Sequence, residues 1–236
     1  MKEVIWNQFC ETHKVSQDCV PLFKNSNLYV QTFSCRNRLL LERSKHMEEL
    51  VINEVEKVLD DYQSGKDSYE GLIYMMFWMS ENYSVIPLYI GKSEKYGRKG
   101  NNLSANIHSI RKNFDKFCRW GNNYEYHIGD LSAAVCPGHH DTKINRKYIR
   151  WGNRLFTNLP STQPKLRQEV YFWIKAWKKG DIGIWQEFGS TPLTFLEYLM
   201  IGVASSIFPE TLLNEEGVNR NIKNLALPSF SNILSN

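Results

Sequence analysis

Apolar and polar positions along the chain alternate between two periods, and the switches mark out the elements. Over residues 39–62, Leu40, Met47, Leu50, Val51, Val55, Val58 and Leu59 recur at threes and fours, which predicts an amphipathic helix. The turn-rich stretch Gln63, Ser64, Gly65 then ends it. From Gly71 to Met79 the residues are almost all apolar or aromatic, a run short enough for a buried strand. A polar turn at 81–84 leads into a second strand, Val85 to Gly91, so the pair reads as a hairpin. Pro87 cannot donate a ladder hydrogen bond and belongs at an edge or a bulge.

Further on, Asn102 is placed to cap a helix from Leu103 to about Phe117, and Asn123 to Ile128 reads as a third strand. An irregular basic insertion with Pro137, Gly138, Pro160 and Pro164 fills roughly 131–168. Val170 to Trp177 is another strand-like run. Ser190-Thr191-Pro192 is a start signal for a helix from Leu193 to about Ile207, stopping before Pro209. Strands alternating with helices predict an α+β fold, a small mixed or antiparallel sheet flanked by helices. Residues 1–66 read as an N-terminal helical extension, and 67–236 as the main domain carrying the insertion.

The chain has 236 residues, 42% of them apolar and 13% aromatic, which excludes a disordered polymer. No run approaches the roughly 18 apolar residues of a membrane span. Residues 1–25, interrupted by Glu3, Glu11 and Asp18, lack the order of a signal peptide. The expected compartment is therefore the cytoplasm. Five scattered cysteines do not suggest a disulfide framework. Neither Cys136 with His139, His140 and Asp141, nor the loose set Cys10, His13, Cys19 and Cys35, has the paired spacing of a zinc site.

A formal net charge of +4 understates how unevenly charge is distributed. Between Lys143 and Lys179, ten Lys and Arg stand against Glu169 alone; between Lys92 and Arg119, eight stand against Glu94 and Asp115. Residues 42–70 are instead acidic. Basic blocks interleaved with Trp, Tyr and Phe suit a polyanion-binding face, because Lys and Arg neutralise phosphates. They equally suit a pair of solvated surfaces.

Two short motifs sharpen the choice. Gly71-Leu72-Ile73-Tyr74 followed by Leu88-Tyr89-Ile90-Gly91-Lys92-Ser93 resembles the paired signature of the GIY-YIG nucleases. Glu197 within Phe-Leu-Glu-Tyr-Leu-Met-Ile-Gly, Phe208-Pro209, Leu212-Leu213-Asn214 and Gly217-Val218-Asn219-Arg220 then follow in that family's order. The resemblance spans about 70–130 and 168–220. It implies a metal-dependent endonuclease hydrolysing DNA phosphodiester bonds, of a restriction or anti-phage defence type. Mg²⁺ or Mn²⁺ would be the cofactor, with Glu197 as its ligand.

By the same resemblance Tyr74 and Tyr89 orient or activate water, and Lys92 contacts the phosphate. Gly91 would let the backbone approach the substrate. The family's usual helix arginine falls here on Asn106, which cannot supply that charge. Arg119, Arg111 or Arg98 are the candidate replacements, and His108 is a candidate proton carrier. Asn214 and Arg220 would contribute tail contacts, while Arg150 and Arg154 in the insertion would follow the DNA backbone. Double-stranded DNA is the expected partner, with RNA as a second possibility. A homodimer would provide two active sites for cutting both strands. A nucleic-acid-binding module with a degenerate nuclease fold is the alternative that Asn106 keeps open, and an interaction protein with an acidic partner is another.

Overall fold

The computed structural model describes residues 1–35, 37–97, 100, 102–108, 110 and 127–218, the side chains of residues 35, 106 and 127–130 excepted. In chain order its elements are α1 (Lys2–Thr12), β1 (Val20–Pro21), β2 (Asn25–Ser26), β3 (Tyr29–Val30), β4 (Thr32–Cys35), β5 (Arg38–Leu41) and α2 (Lys45–Gln63). There follow β6 (Tyr69–Met79), β7 (Val85–Glu94), α3 (Ala105–His108), α4 (His127–Val135), α5 (Arg146–Leu155), β8 (Tyr171–Lys178) and α6 (Leu193–Ile207). The fold is α+β: a four-stranded antiparallel sheet in the order β1-β8-β6-β7, with helices on both faces.

The uninterrupted apolar run of β6 follows from its place inside that sheet, where both faces are covered. Leu72, Tyr74 and Met76 join Val51 and Val55 of α2 and Trp151 and Leu155 of α5 in one core. Ile73, Met75 and Phe77 face the other way, onto Trp6 and Phe9 of α1 and Leu196 and Met200 of α6. The predicted hairpin is present, and β7 is an edge strand. Pro87 sits on that edge and at a bulge, since Met76 pairs with Tyr89 and Phe77 with Pro87, leaving Leu88 over.

Other expectations need correction. The helix predicted over 39–62 begins only at Lys45, where the Ser44 hydroxyl accepts the Met47 N–H at 3.0 Å as a cap. Arg38–Leu41 pairs instead with Thr32–Cys35 as a small hairpin, so the periodicity of Leu40 with the later residues is accidental. The first 66 residues hold two helices and five short strands rather than helices alone, and β1 belongs to the main sheet. The third strand predicted at 123–128 is overturned at its end, where His127 and Ile128 open helix α4; residues 123–126 lie outside the described residues. Of the helix predicted from 103 to 117, Ala105–His108 is helical and 111–117 lies outside them. The insertion is not irregular throughout: it holds the end of α4 and the whole of α5, which pack on each other, and α4 packs on β5. Among the described residues, no helix is long and apolar enough to cross a membrane.

Helix α6 starts where the sequence places it, by a different device. Neither Ser190 nor Thr191 caps it; the Glu70 carboxylate accepts the Leu193 N–H at 2.6 Å from β6. Thr191 is turned inward, accepting the Gly183 N–H at 3.2 Å.

Candidate active site at the free edge of strand β7

An edge strand exposes every second backbone group, and an unprotected edge invites pairing with another chain. On β7 these groups are met by the chain that follows α6. The Leu213 N–H donates to the Leu88 carbonyl at 2.7 Å. The Asn214 side chain then bridges Ile90, its Oδ1 accepting the Ile90 N–H at 3.0 Å and its Nδ2 donating to the Ile90 carbonyl at 2.8 Å. Two residues on, the Lys92 backbone N–H faces the Glu197 carboxylate on α6 and favours its charged form. Arg150 of α5 fastens this strap from outside, donating from Nη2 to the Leu213 carbonyl at 2.7 Å, with Glu215 at 3.9 Å from its Nη1.

Between strap, α5, α6 and β7 lies a cleft of about 230 Å³ lined by Tyr89, Lys147, Glu197, Tyr198, Ile201, Asn214, Glu215 and Glu216. Tyr89 and Glu197, so far apart in sequence, therefore face one space. Burial pushes the Glu197 carboxyl above its ordinary value, and the carboxylates Glu94 and Glu216 push the same way. The Lys92 ammonium and N–H pull against them without prevailing.

The two tyrosine rings pack at a tilt on the α5 side of the sheet. Tyr74 is buried, its ring centroid 6.3 Å from that of Tyr89 and 5.9 Å from that of Phe172. It pairs across the ladder with Gly91, and a Cβ on Gly91 would lie 2.6 Å from the Tyr74 hydroxyl oxygen. Gly91 thus makes room for a phenol within the protein. Tyr89 packs on Trp151 of α5 at 4.9 Å.

Lys92 hydrogen-bonds Glu94 and the Thr194 hydroxyl, the latter at 2.8 Å. That contact with Lys92, helped by Thr194, holds the Glu94 carboxyl below its usual value. His108 is exposed on α3, which packs on α2, and it does not line the cleft. Arg154, in the last turn of α5, does not line it either. Arg98, Arg111, Arg119 and Arg220 lie outside the described residues. The structure therefore brings Tyr89, Glu197 and Asn214 together, with Tyr74 and Lys92 against them.

Sequence reasoning missed Lys147, Tyr198, Glu215 and Glu216. A signal existed for Lys147, four residues before Trp151 and so on the same helix face. It also missed a buried ion pair. Lys95, 1% exposed, donates to Asp61 at 2.8 Å and to Asp67 at 3.3 Å, while Asp61 also accepts the N–H groups of Ser68 and Tyr69. Burial works against both charges. The hydrogen bonds between them prevail, lowering the Asp61 pKa and raising that of Lys95.

A hydrated divalent cation fits the donor chemistry of the cleft. Mg²⁺ commonly takes one or two carboxylates and keeps its water, and Glu197 is a half-buried carboxylate under pressure from like charges. Among the described residues, no three His, Cys, Asp or Glu side chains form a group able to hold a metal by themselves. At the sets weighed for zinc, burial pushes the Cys10 and Cys136 thiols up to about 12. His139 is tied into the fold, its Nε2 donating to the Leu39 carbonyl oxygen at 2.7 Å.

Comparison with known proteins gives no match: no family model, no curated protein and no solved structure is significantly similar to this chain.

Proposed function

We propose that this protein is a divalent-metal-dependent endonuclease that hydrolyses DNA, built on the plan its motifs share with GIY-YIG nucleases. The observation that carries this reading is the meeting of Tyr89 and Glu197 in one cleft, with the Tyr74 ring packed behind Tyr89. The element order supports it as well: hairpin β6–β7, strand β8 on the other side of β6, then the glutamate-bearing α6 and the Asn214 strap.

In this reading Glu197 would hold Mg²⁺ or Mn²⁺, a cation that supplies acidified water and charge stabilisation when bound. Tyr89 presents its phenolic oxygen to the attacking water or the phosphate. Tyr74 fixes the ring of Tyr89 from behind. Lys92 keeps Glu94 paired and adds positive potential at Glu197. Asn214 holds the backbone between Tyr89 and Gly91, and with it the direction of the Tyr89 side chain.

The test is plasmid cleavage with Mg²⁺ or Mn²⁺, comparing the wild type with Glu197→Ala. Metal-dependent nicking or linearisation that Glu197→Ala abolishes is the expected result. Tight, salt-sensitive DNA binding with no metal-dependent cutting by the wild type would reduce the protein to a nucleic-acid-binding module. RNA run as a parallel substrate decides between the two polymers.

A further inference from the structure

The inserted helix α5 brings a cation into the cleft, and it does so on a rigid aromatic base. Asn145 caps the helix, its Oδ1 accepting the Lys147 N–H at 2.8 Å. One turn later Trp151 is fully buried, 4.9 Å from Tyr89 and 5.3 Å from Tyr148. The Lys147 ammonium stands 5.5 Å from the ring centroid of Tyr89, 5.5 Å from that of Trp151 and 5.6 Å from that of Tyr148. Ring faces attract a cation at this range, and three of them, fixed by core packing, hold the ammonium against the same phenol that lines the cleft.

Charge balance gives that ammonium its task. Glu197, Glu215 and Glu216 also line the space, and their field repels any anionic ester. Among the described residues lining the cleft, Lys147 alone is cationic. Arg150, on the same helix, points its guanidinium at the Leu213 carbonyl and towards Glu215, so it holds the strap.

We infer that Lys147 is the phosphate-binding cation of this cleft, so that the insertion completes the active site. A non-bridging oxygen of a DNA phosphodiester is held by the Lys147 ammonium beside Tyr89, where charge on that oxygen grows as the bond to water forms. This inference rests on the nuclease reading for its catalytic part. Its binding part needs only a phosphate.

The experiment uses the full chain in two assays. One is duplex cleavage with Mg²⁺, and the other is binding of the same labelled duplex in EDTA across a salt series. Lys147→Met keeps the stem packed on the rings and removes the charge; Lys147→Gln is read in its place if the Met variant melts well below wild type. Lys147→Arg keeps the charge, and Lys45→Met, in the acidic helix α2, controls for net charge. Removing a phosphate donor at a reacting centre costs about 10²-fold or more. The neutral variants should therefore lose about that much in kcat/KM, with Lys147→Arg recovering most of it.

The slope of log K against log salt should shrink by about one in the neutral variants and not in Lys45→Met. Normal cleavage and an unchanged slope in Lys147→Met, with Glu197→Ala inactive, overturn the inference and leave the nuclease reading intact. If the wild type never cuts, the nuclease reading falls. The slope then decides the phosphate contact alone: reduced, it stands; unchanged, it is overturned.

Discussion

Asn214 grips Ile90 with both ends of its amide, accepting the Ile90 N–H and donating to the Ile90 carbonyl. The side chain thereby imitates a neighbouring strand for one residue, on an edge that would otherwise end in solvent. Because Ile90 lies between Tyr89 and Gly91, this grip fixes the part of β7 that faces both tyrosines. Replacing Asn214 by Ala removes two hydrogen bonds at a nine-tenths buried site. The expected loss is about 2 kcal/mol, read as a lower urea midpoint and faster hydrogen exchange at the Ile90 amide. Asn214→Asp keeps the acceptor but sets a carboxylate against the Ile90 carbonyl. It should be at least as damaging at pH 7 and should recover as the new carboxyl is protonated.

Gly91 is required by a side chain across the ladder. A methyl group there meets the Tyr74 ring at 2.6–2.8 Å, and the ring is confined by Tyr89 and Phe172. Gly91→Ala should cost about 1–3 kcal/mol by overpacking, measured by denaturant titration. Combining it with Tyr74→Leu should return part of that stability. If Tyr74 supports Tyr89 in cleavage, the double variant remains inactive, so stability and activity separate in one pair of measurements.

Lys95 and Asp61 carry the largest stability prediction. Their side chains are 1% and 3% exposed, and the carboxylate also accepts two backbone N–H groups. Lys95→Met leaves Asp61 charged and buried beside those amides, a loss of about 3–5 kcal/mol. Asp61→Asn keeps an acceptor for the amides but strands the ammonium, which still has Asp67 and the Lys66 carbonyl. It should cost less. Thermal and urea melts of both variants check the order, and an equal or reversed order would remove Asp61 from the centre of the network.

The hairpin was legible in the sequence because β6 is covered on both faces and a short polar turn at 81–84 separates it from β7. Local signals of that kind survive folding. Pro87 was readable for the same reason, since its missing N–H admits few positions in a sheet. The start of α2 was misread because Leu40 falls in phase with a helix it does not join, and strand pairing with Phe33 outweighs that phase. The α6 cap and the Lys95–Asp61 pair were invisible for another reason. Glu70, Lys95 and Asp61 act across long stretches of chain, and single-sequence periodicity carries no information about such distances. Lys147 lay in a stretch read as irregular, where a helix face was not sought.

Glu197 should betray its role without any substrate. Its carboxyl is held above the ordinary glutamate value by burial, with Glu94 and Glu216 adding to the effect. A carboxyl with a raised folded pKa favours the folded state most below its unfolded value, near 4.5, and loses that contribution as pH rises through the folded value. The charged form of Glu197 therefore burdens the fold. Glu197→Gln removes the charge and keeps an acceptor oxygen towards the Lys92 N–H. It should raise stability at pH 7 by about 1 kcal/mol, or about 2–4 °C for a chain of this size. The gain should fade on acidification and vanish below about pH 4, where both chains are neutral at this position. Melting curves at pH 7 and pH 4 for the two proteins read this difference directly. A Gln variant less stable than wild type at pH 7 would mean that the carboxylate is needed to hold β7 together, and the case for Glu197 as a strained metal ligand would go with it.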